Sequence, residues 1–296
     1  MSFPPQLGQS RFVAAGPHRL HYHEYQSALT NPALPPVILI SGLQASHRQW
    51  LRLAPLLSPP FRVLAFDYLG VGQSDKPEGF AYTARAQAEV IATALRALNI
   101  PRAHLVGASY GGGIVLALAG LYPELAATVT AIEGVFYWPG PMKWYGLMHH
   151  VYRAPRLGPF VFKAFYPSVK FYSLIRARFN WAEFQMVSAC YTEPYASRTA
   201  WANLMLTAGE DLRFVLPRIQ APILYLSGGQ SWLKPFLRPM LRYLRRQQPT
   251  ARLLTIPTGA HSLNVERPRQ VAEAVLNFWG SIAFDGPGDT RISVDL

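Results

Sequence analysis

The chain of 296 residues is half hydrophobic and carries 28 Lys and Arg against 16 Asp and Glu, a formal charge of +12. That apolar content suffices for one large α/β domain with an insertion and excludes a disordered chain. The single cysteine, Cys190, excludes an internal disulfide and a thiolate metal cluster, and the basic excess favours anionic surroundings or a solvated arginine-rich surface. The start Met1-Ser2-Phe3-Pro4-Pro5 lacks a basic-then-apolar leader pattern, and no stretch approaches ~18 uninterrupted apolar residues, so a cytoplasmic location is expected. No nucleic-acid module is present, so no nucleic-acid partner is expected.

In chain order, Arg11 to Ala15 and Arg19 to Tyr25 read as a hairpin around Gly16-Pro17. After the Pro-rich link Asn31 to Pro36, the all-apolar run Val37-Ile38-Leu39-Ile40 predicts a strand covered on both faces. Ser41-Gly42-Leu43-Gln44 leads to Trp50 and a helical pattern ending at Leu57, and Arg62 to Phe66 is the next strand. Thr83 starts a helix with Ala86, Val90, Ile91, Ala94, Leu95 and Leu98 at helical spacing.

His104-Leu105-Val106 predicts another buried strand, and Gly107-Ala108-Ser109-Tyr110-Gly111-Gly112 follows it directly, ahead of a helix from Gly113 to Tyr122. Small residues on both sides of Ser109 permit a turn too tight for bulkier neighbours, which lifts the hydroxyl above the sheet edge beside helix N-terminal N–H groups. A strand Ala127 to Ile132 ends at Glu133. Pro222 to Ser227 and Arg252 to Ile256 are later strands, Lys234 to Gln248 is an amphipathic helix, and Pro268 to Ile282 is the last helix. Such alternation predicts a parallel sheet between helices, with chemistry at the strands' carboxyl ends.

The stretch Asp67-x-x-Gly-x-Gly-x-Ser74-Asp75-Lys76-Pro77, the Gly-x-Ser-x-Gly at Ser109 and the late Gly259-Ala260-His261-Ser262 together resemble the α/β-hydrolase superfamily, over about residues 10–283. The resemblance implies a mostly parallel eight-stranded sheet, with residues 1–133 and 206–283 as the core and 134–205 as an inserted helical cap. Residues 284–296 read as a disordered tail. It implies that Asp67 and Asp75 belong to a structural turn, that Ser109 is the nucleophile, and that His261 is its base. It assigns the oxyanion hole to the backbone N–H groups of Leu43 and Tyr110, although Ser41-Gly42 replaces the usual His-Gly and puts that loop's rigidity in question. No metal or organic cofactor is implied.

The third triad member departs from the family. Most relatives carry an Asp in the loop after the strand ending at Ser227; here the loop reads Gly228-Gly229-Gln230-Ser231-Trp232, and no Asp or Glu occurs from Leu212 to Val265. Glu133 stands 24 residues beyond Ser109, where some haloalkane dehalogenases carry a catalytic Glu, and is the expected acid. A neutral orienting group, Ser231 or Gln230, is the alternative. Those dehalogenases attack with an elbow Asp, so Ser109 points instead to acyl transfer.

The 134–205 span holds 18 of the chain's 38 aromatic residues, with eight Lys and Arg against Glu183 and Glu193. Clusters such as Phe160, Phe162, Phe165, Tyr166, Phe171 and Tyr172 predict both lid core and an apolar pocket beneath it. Phe136, Trp138 and Leu263 are the expected substrate-binding residues. The expected function is hydrolysis of a small-to-medium apolar carboxylic ester or lactone. A serine-dependent carbon–carbon bond hydrolase and a non-catalytic ligand-binding homologue are the alternatives. The basic helix Lys234 to Gln248, and Arg176 and Arg178 in the cap, are expected to allow transient contact with an anionic membrane surface. No oligomeric state is predicted.

Overall fold

The computed structural model describes residues 8–43, 45–138, 143–161, 163–164, 202 and 210–282. Arg176, Arg178, every member of the predicted aromatic cluster except Phe160, and the 284–296 tail lie outside the described residues.

The strands are β1 (Gly8–Ala15), β2 (His18–Tyr25), β3 (Val37–Ile40), β4 (Val63–Phe66), β5 (Ala103–Ala108), β6 (Ala126–Ile132), β7 (Ile223–Gly228) and β8 (Arg252–Ile256). They form one sheet in the order β1-β2-β4-β3-β5-β6-β7-β8. The β1–β2 and β2–β4 pairs are antiparallel, and every later pair is parallel. β3, β4, β5 and β6 are buried along their whole length, as four- to seven-residue apolar runs require when helices cover both faces.

The main helices are α1 (Ala54–Leu57), α2 (Ala84–Ala97), α3 (Tyr110–Leu121), α4 (Lys143–Arg153), α5 (Lys234–Gln247), α6 (Leu263–Glu266) and α7 (Pro268–Gly280). One face of the sheet packs against α2, α3 and α5 through residues such as Ile91, Leu95, Ile114, Leu118, Met240 and Leu244. The other packs against α1 and α7 through Leu53, Leu57, Val275 and Trp279. Thr83 caps α2, its hydroxyl accepting the Ala86 N–H at 3.0 Å. Among the described residues no helix is long and apolar enough to cross a membrane.

The turn after β4 is held by Asp67, which is fully buried. Its carboxylate accepts the backbone N–H groups of His47 (2.6 Å) and Gln73 (3.0 Å) and faces Nδ1 of His21 (2.7 Å) and of His47 (3.1 Å). Burial alone raises the Asp67 carboxyl, but hydrogen bonds from His21 and His47 outweigh it and hold the group well below the usual carboxylate range. Asp75 accepts the Arg19 N–H at 2.7 Å. Donors of His21, His47 and Asp67 lie within 4.8 Å of one another, a spacing a metal ion could also use, but here each imidazole Nδ1 already faces a carboxylate oxygen.

Two histidines make the core acid-sensitive. Burial lowers His104 to about 3, with Arg102 adding to the effect. Burial, with the neighbouring His47 and His21, lowers His23 to about 4. Both are more acidic than an unfolded histidine, so below about pH 6.5 the unfolded chain binds protons first and stability falls with pH. Each group contributes a slope of about 1.4 kcal/mol per pH unit until its folded value is reached. Denaturant midpoints at constant ionic strength are expected to show a loss of at least roughly 2 kcal/mol between about pH 6.5 and 4.5, most of it from the deeply buried His104. A flat profile over that window contradicts the neutral buried state of both rings.

Candidate active site

The carboxyl ends of four adjacent strands supply the site. Ser109 follows β5, Glu133 follows β6, Ser231 lies in the loop after β7, and His261 follows β8. The topology thus brings together residues separated by up to 152 positions in the chain.

Ser109 has φ +52° and ψ −116°, a strained conformation for a residue with a side chain. Its N–H donates to the Ile132 carbonyl (2.8 Å), while its own carbonyl accepts from Gly112 (3.0 Å) and Val135 (3.0 Å). Helix α3 begins at Tyr110, not at Gly113 as the glycine run suggests, and the glycines serve close packing within it. A Cβ at Gly111 would collide with the carbonyl oxygens of Ile40 and Ser41, and one at Gly112 with the Cα of Gly134. The end of β6 is therefore stapled to the elbow.

Glu133 is wholly buried, with φ +50° and its N–H on the Leu226 carbonyl at 2.8 Å. Oε1 accepts the Gly228 N–H at 2.7 Å, and Oε2 accepts the Ser231 hydroxyl and lies 3.0 Å from Nδ1 of His261. Nε2 of His261 lies 3.1 Å from Ser109 Oγ. With Nδ1–H donated to the carboxylate, the Nε2 lone pair faces the serine hydroxyl, the arrangement a general base requires. The imidazole is only 23% exposed, and the Trp232 ring meets its edge at 5.7 Å.

The loop after β3 is fixed despite its Ser41-Gly42 start. Ser41 Oγ donates to the Ser46 carbonyl (2.8 Å), Gln49 Oε1 accepts the Gly42 N–H (2.7 Å), and Tyr68 OH donates to the Gly42 carbonyl (3.0 Å). A Cβ on Gly42 would lie 3.4 Å from Ser109 Cβ, so the loop passes beside the nucleophile. The backbone N–H groups of Leu43 and Tyr110 have no acceptor among the described residues. The Tyr110 side chain turns into the core, its hydroxyl donating to the Tyr82 carbonyl at 2.7 Å.

The three expected substrate-binding residues sit differently. Phe136 and Leu263 are wholly buried, Phe136 in the core cluster with α3 and Leu263 in the cluster with α7, so neither presents surface to a ligand in this conformation. Trp138 is half-buried and its ring lies 4.8 Å from Phe236 of α5. Sequence reasoning missed the Gly228 N–H and the Ser231 hydroxyl as donors to Glu133, and Trp232 beside His261. The only signal was that Gly-Gly-Gln-Ser-Trp occupies the loop where the acid usually stands.

Strand order, the strained serine after β5 and the histidine after β8 define an α/β-hydrolase fold. A sequence model of the alpha/beta hydrolase fold matches residues 35–171. A protein of Caulobacter sp. (strain K31) named "Putative carbamate hydrolase RutD" is 28% identical over 257 residues, covering 82% of this chain and 89% of its own. The crystal structure of E-2-(acetamidomethylene)succinate hydrolase is similar at a TM-score of 0.74 and 24% identity, covering 92% of this chain and 99% of its own. The enol-lactonase of Burkholderia xenovorans LB400 is similar at a TM-score of 0.75 and 23% identity, over 91% and 99%. The chain therefore has the alpha/beta hydrolase fold, which the sequence model matches over residues 35–171 and the solved structures share over nine-tenths of the chain.

Proposed function

We propose that the protein is a serine hydrolase that cleaves a small-to-medium apolar carboxylic ester or lactone through an acyl-enzyme. The observation that carries this reading is the single line of contacts from Ser109 Oγ to His261 Nε2 (3.1 Å) and from His261 Nδ1 to Glu133 Oε2 (3.0 Å). Ser109 Oγ attacks the carbonyl carbon as His261 takes its proton, and buried Glu133 stabilises the imidazolium. The Leu43 and Tyr110 N–H groups receive the oxyanion, each such donor being worth roughly 2.7–4 kcal/mol in the transition state. His261 then gives the proton to the departing alkoxide. Water, deprotonated by His261, attacks the acyl carbon, and the acyl–Oγ bond breaks as His261 returns that proton to Ser109 Oγ, releasing the acid.

The name of the Caulobacter relative favours a second reading, a carbamate, whose carbonyl is attacked by the same groups. Cleavage of a carbon–carbon bond by the same serine is the third. Complete alignment of nucleophile, base and acid supports turnover over ligand binding alone.

Purified protein is expected to hydrolyse short p-nitrophenyl esters and to take up one fluorophosphonate, mapped by peptide mass spectrometry to Ser109. Faster turnover of a carbamate or of a vinylogous diketone than of any ester moves the substrate class. A covalent adduct on another serine removes the assignment of Ser109.

A further inference from the structure

We propose that the exposed face of α5 docks on an anionic lipid bilayer, with Trp232 at its leading end. Lys234, Arg238, Arg242, Arg245 and Arg246 are all exposed, whereas Leu237, Met240 and Leu244 are buried. At 100° per residue the five cations fall within an arc of roughly 120°, along a helix about 21 Å long.

No described residue neutralises them. No Asp or Glu occurs between Leu212 and Val265, and none of the five is ion-paired with a described residue. Among the described residues Lys234 Nζ reaches only the Gly229 carbonyl, at 3.2 Å. Two described acids on this flank are engaged: Asp211 by Arg213, whose guanidinium lies 5.7 Å from the Tyr243 ring of α5, and Glu210 by Arg85. Like charges one turn apart repel, and a surface of negative headgroups relieves that repulsion.

Two features select a bilayer over a nucleic acid. The apolar side of α5 is locked in the core, so its cations form one shallow face suited to a plane, whereas groove recognition needs a protruding element. The Trp232 indole is 57% exposed two residues before the helix, and a half-exposed indole at the end of a cationic row matches the headgroup boundary. Because the same ring lies 5.7 Å from His261, docking brings the rim of the site to the lipid surface. That last step rests on the Ser109–His261 reading; the docking itself does not.

The test is co-sedimentation with phosphatidylcholine vesicles, alone and mixed with phosphatidylglycerol, at low and high salt. Binding is expected only to the mixed vesicles and to weaken with salt. Combining Arg238→Glu, Arg242→Glu and Arg245→Glu should weaken partition on the order of 100-fold, given about fivefold per cation, while the three Arg→Lys changes keep it. A blue shift of indole emission on the mixed vesicles should disappear in Trp232→Phe. Equal binding to neutral vesicles, an unaffected triple Glu variant with native circular dichroism, or tighter binding to duplex DNA than to the mixed vesicles at the same salt overturns the proposal. Sedimentation needs no turnover, so its failure leaves the ester-hydrolase reading standing, and loss of that reading leaves the vesicle result standing.

Discussion

Replacing Ser109 with Ala is expected to lower kcat by about 10⁶-fold, the scale seen when a serine protease loses its nucleophile. The change removes only Oγ, whose contact is His261 Nε2 at 3.1 Å, so the fold and the Leu43 and Tyr110 N–H groups stay in place. Substrate binding should therefore survive, and residual turnover above the uncatalysed rate should come from the oxyanion hole alone. Stability supplies a second readout. Because Ser109 holds φ +52°, Ser109→Gly relieves a strain of about 1–3 kcal/mol and loses part of that to chain entropy. The glycine variant is expected to be inactive and about 1 kcal/mol more stable than the parent in denaturant titrations. An Ala variant that keeps more than a trace of activity, or a Gly variant that is less stable, contradicts the elbow as drawn.

Glu133→Gln is expected to lower kcat by about 10⁴-fold with little effect on KM, as for the comparable amide change in a serine protease. The carboxylate is wholly buried and its Oε2 meets both His261 Nδ1 and the Ser231 hydroxyl. A glutamine keeps the size, but it removes the negative charge that stabilises the imidazolium and allows the wrong imidazole tautomer. Loss of activity alone does not separate this role from support of the strand end, since Oε1 also accepts the Gly228 N–H at 2.7 Å. Ser231→Asp separates them. Alone, it sets a second carboxylate against Glu133 Oε2, so one of the two must stay protonated and activity falls. Combined with Glu133→Gln, it returns a carboxylate beside His261 and should recover about tenfold or more of the lost kcat. Near-normal kcat in a folded Glu133→Gln protein would instead place the orientation of His261 with a neutral group.

Local chemistry determined most of the framework. Val37–Ile40 and Val63–Phe66 are strands because short apolar runs between turn residues satisfy both faces of a covered sheet, and Thr83 starts α2 because its hydroxyl replaces a missing helix acceptor. The Gly-x-Ser-x-Gly run predicts the elbow because its neighbours are small, although glycine propensity misplaces the start of α3. Tertiary contact with Ile40, Ser41 and Gly134 overrides propensity there, since a helix packed that closely tolerates no Cβ.

What only the tertiary structure decided is which distant groups meet. Sequence alone left His261 to be oriented by Glu133, Ser231 or Gln230; parallel pairing of β6 with β7 and of β7 with β8 places the first two on the same oxygen-bound network. Phe136 and Leu263 carry the right chemistry for a pocket but are buried in opposite layers, because hydrophobicity says that a side chain leaves water and not which surface it leaves water against. Periodicity is a local property, whereas strand order and the direction of a buried side chain are set by contacts across the whole chain.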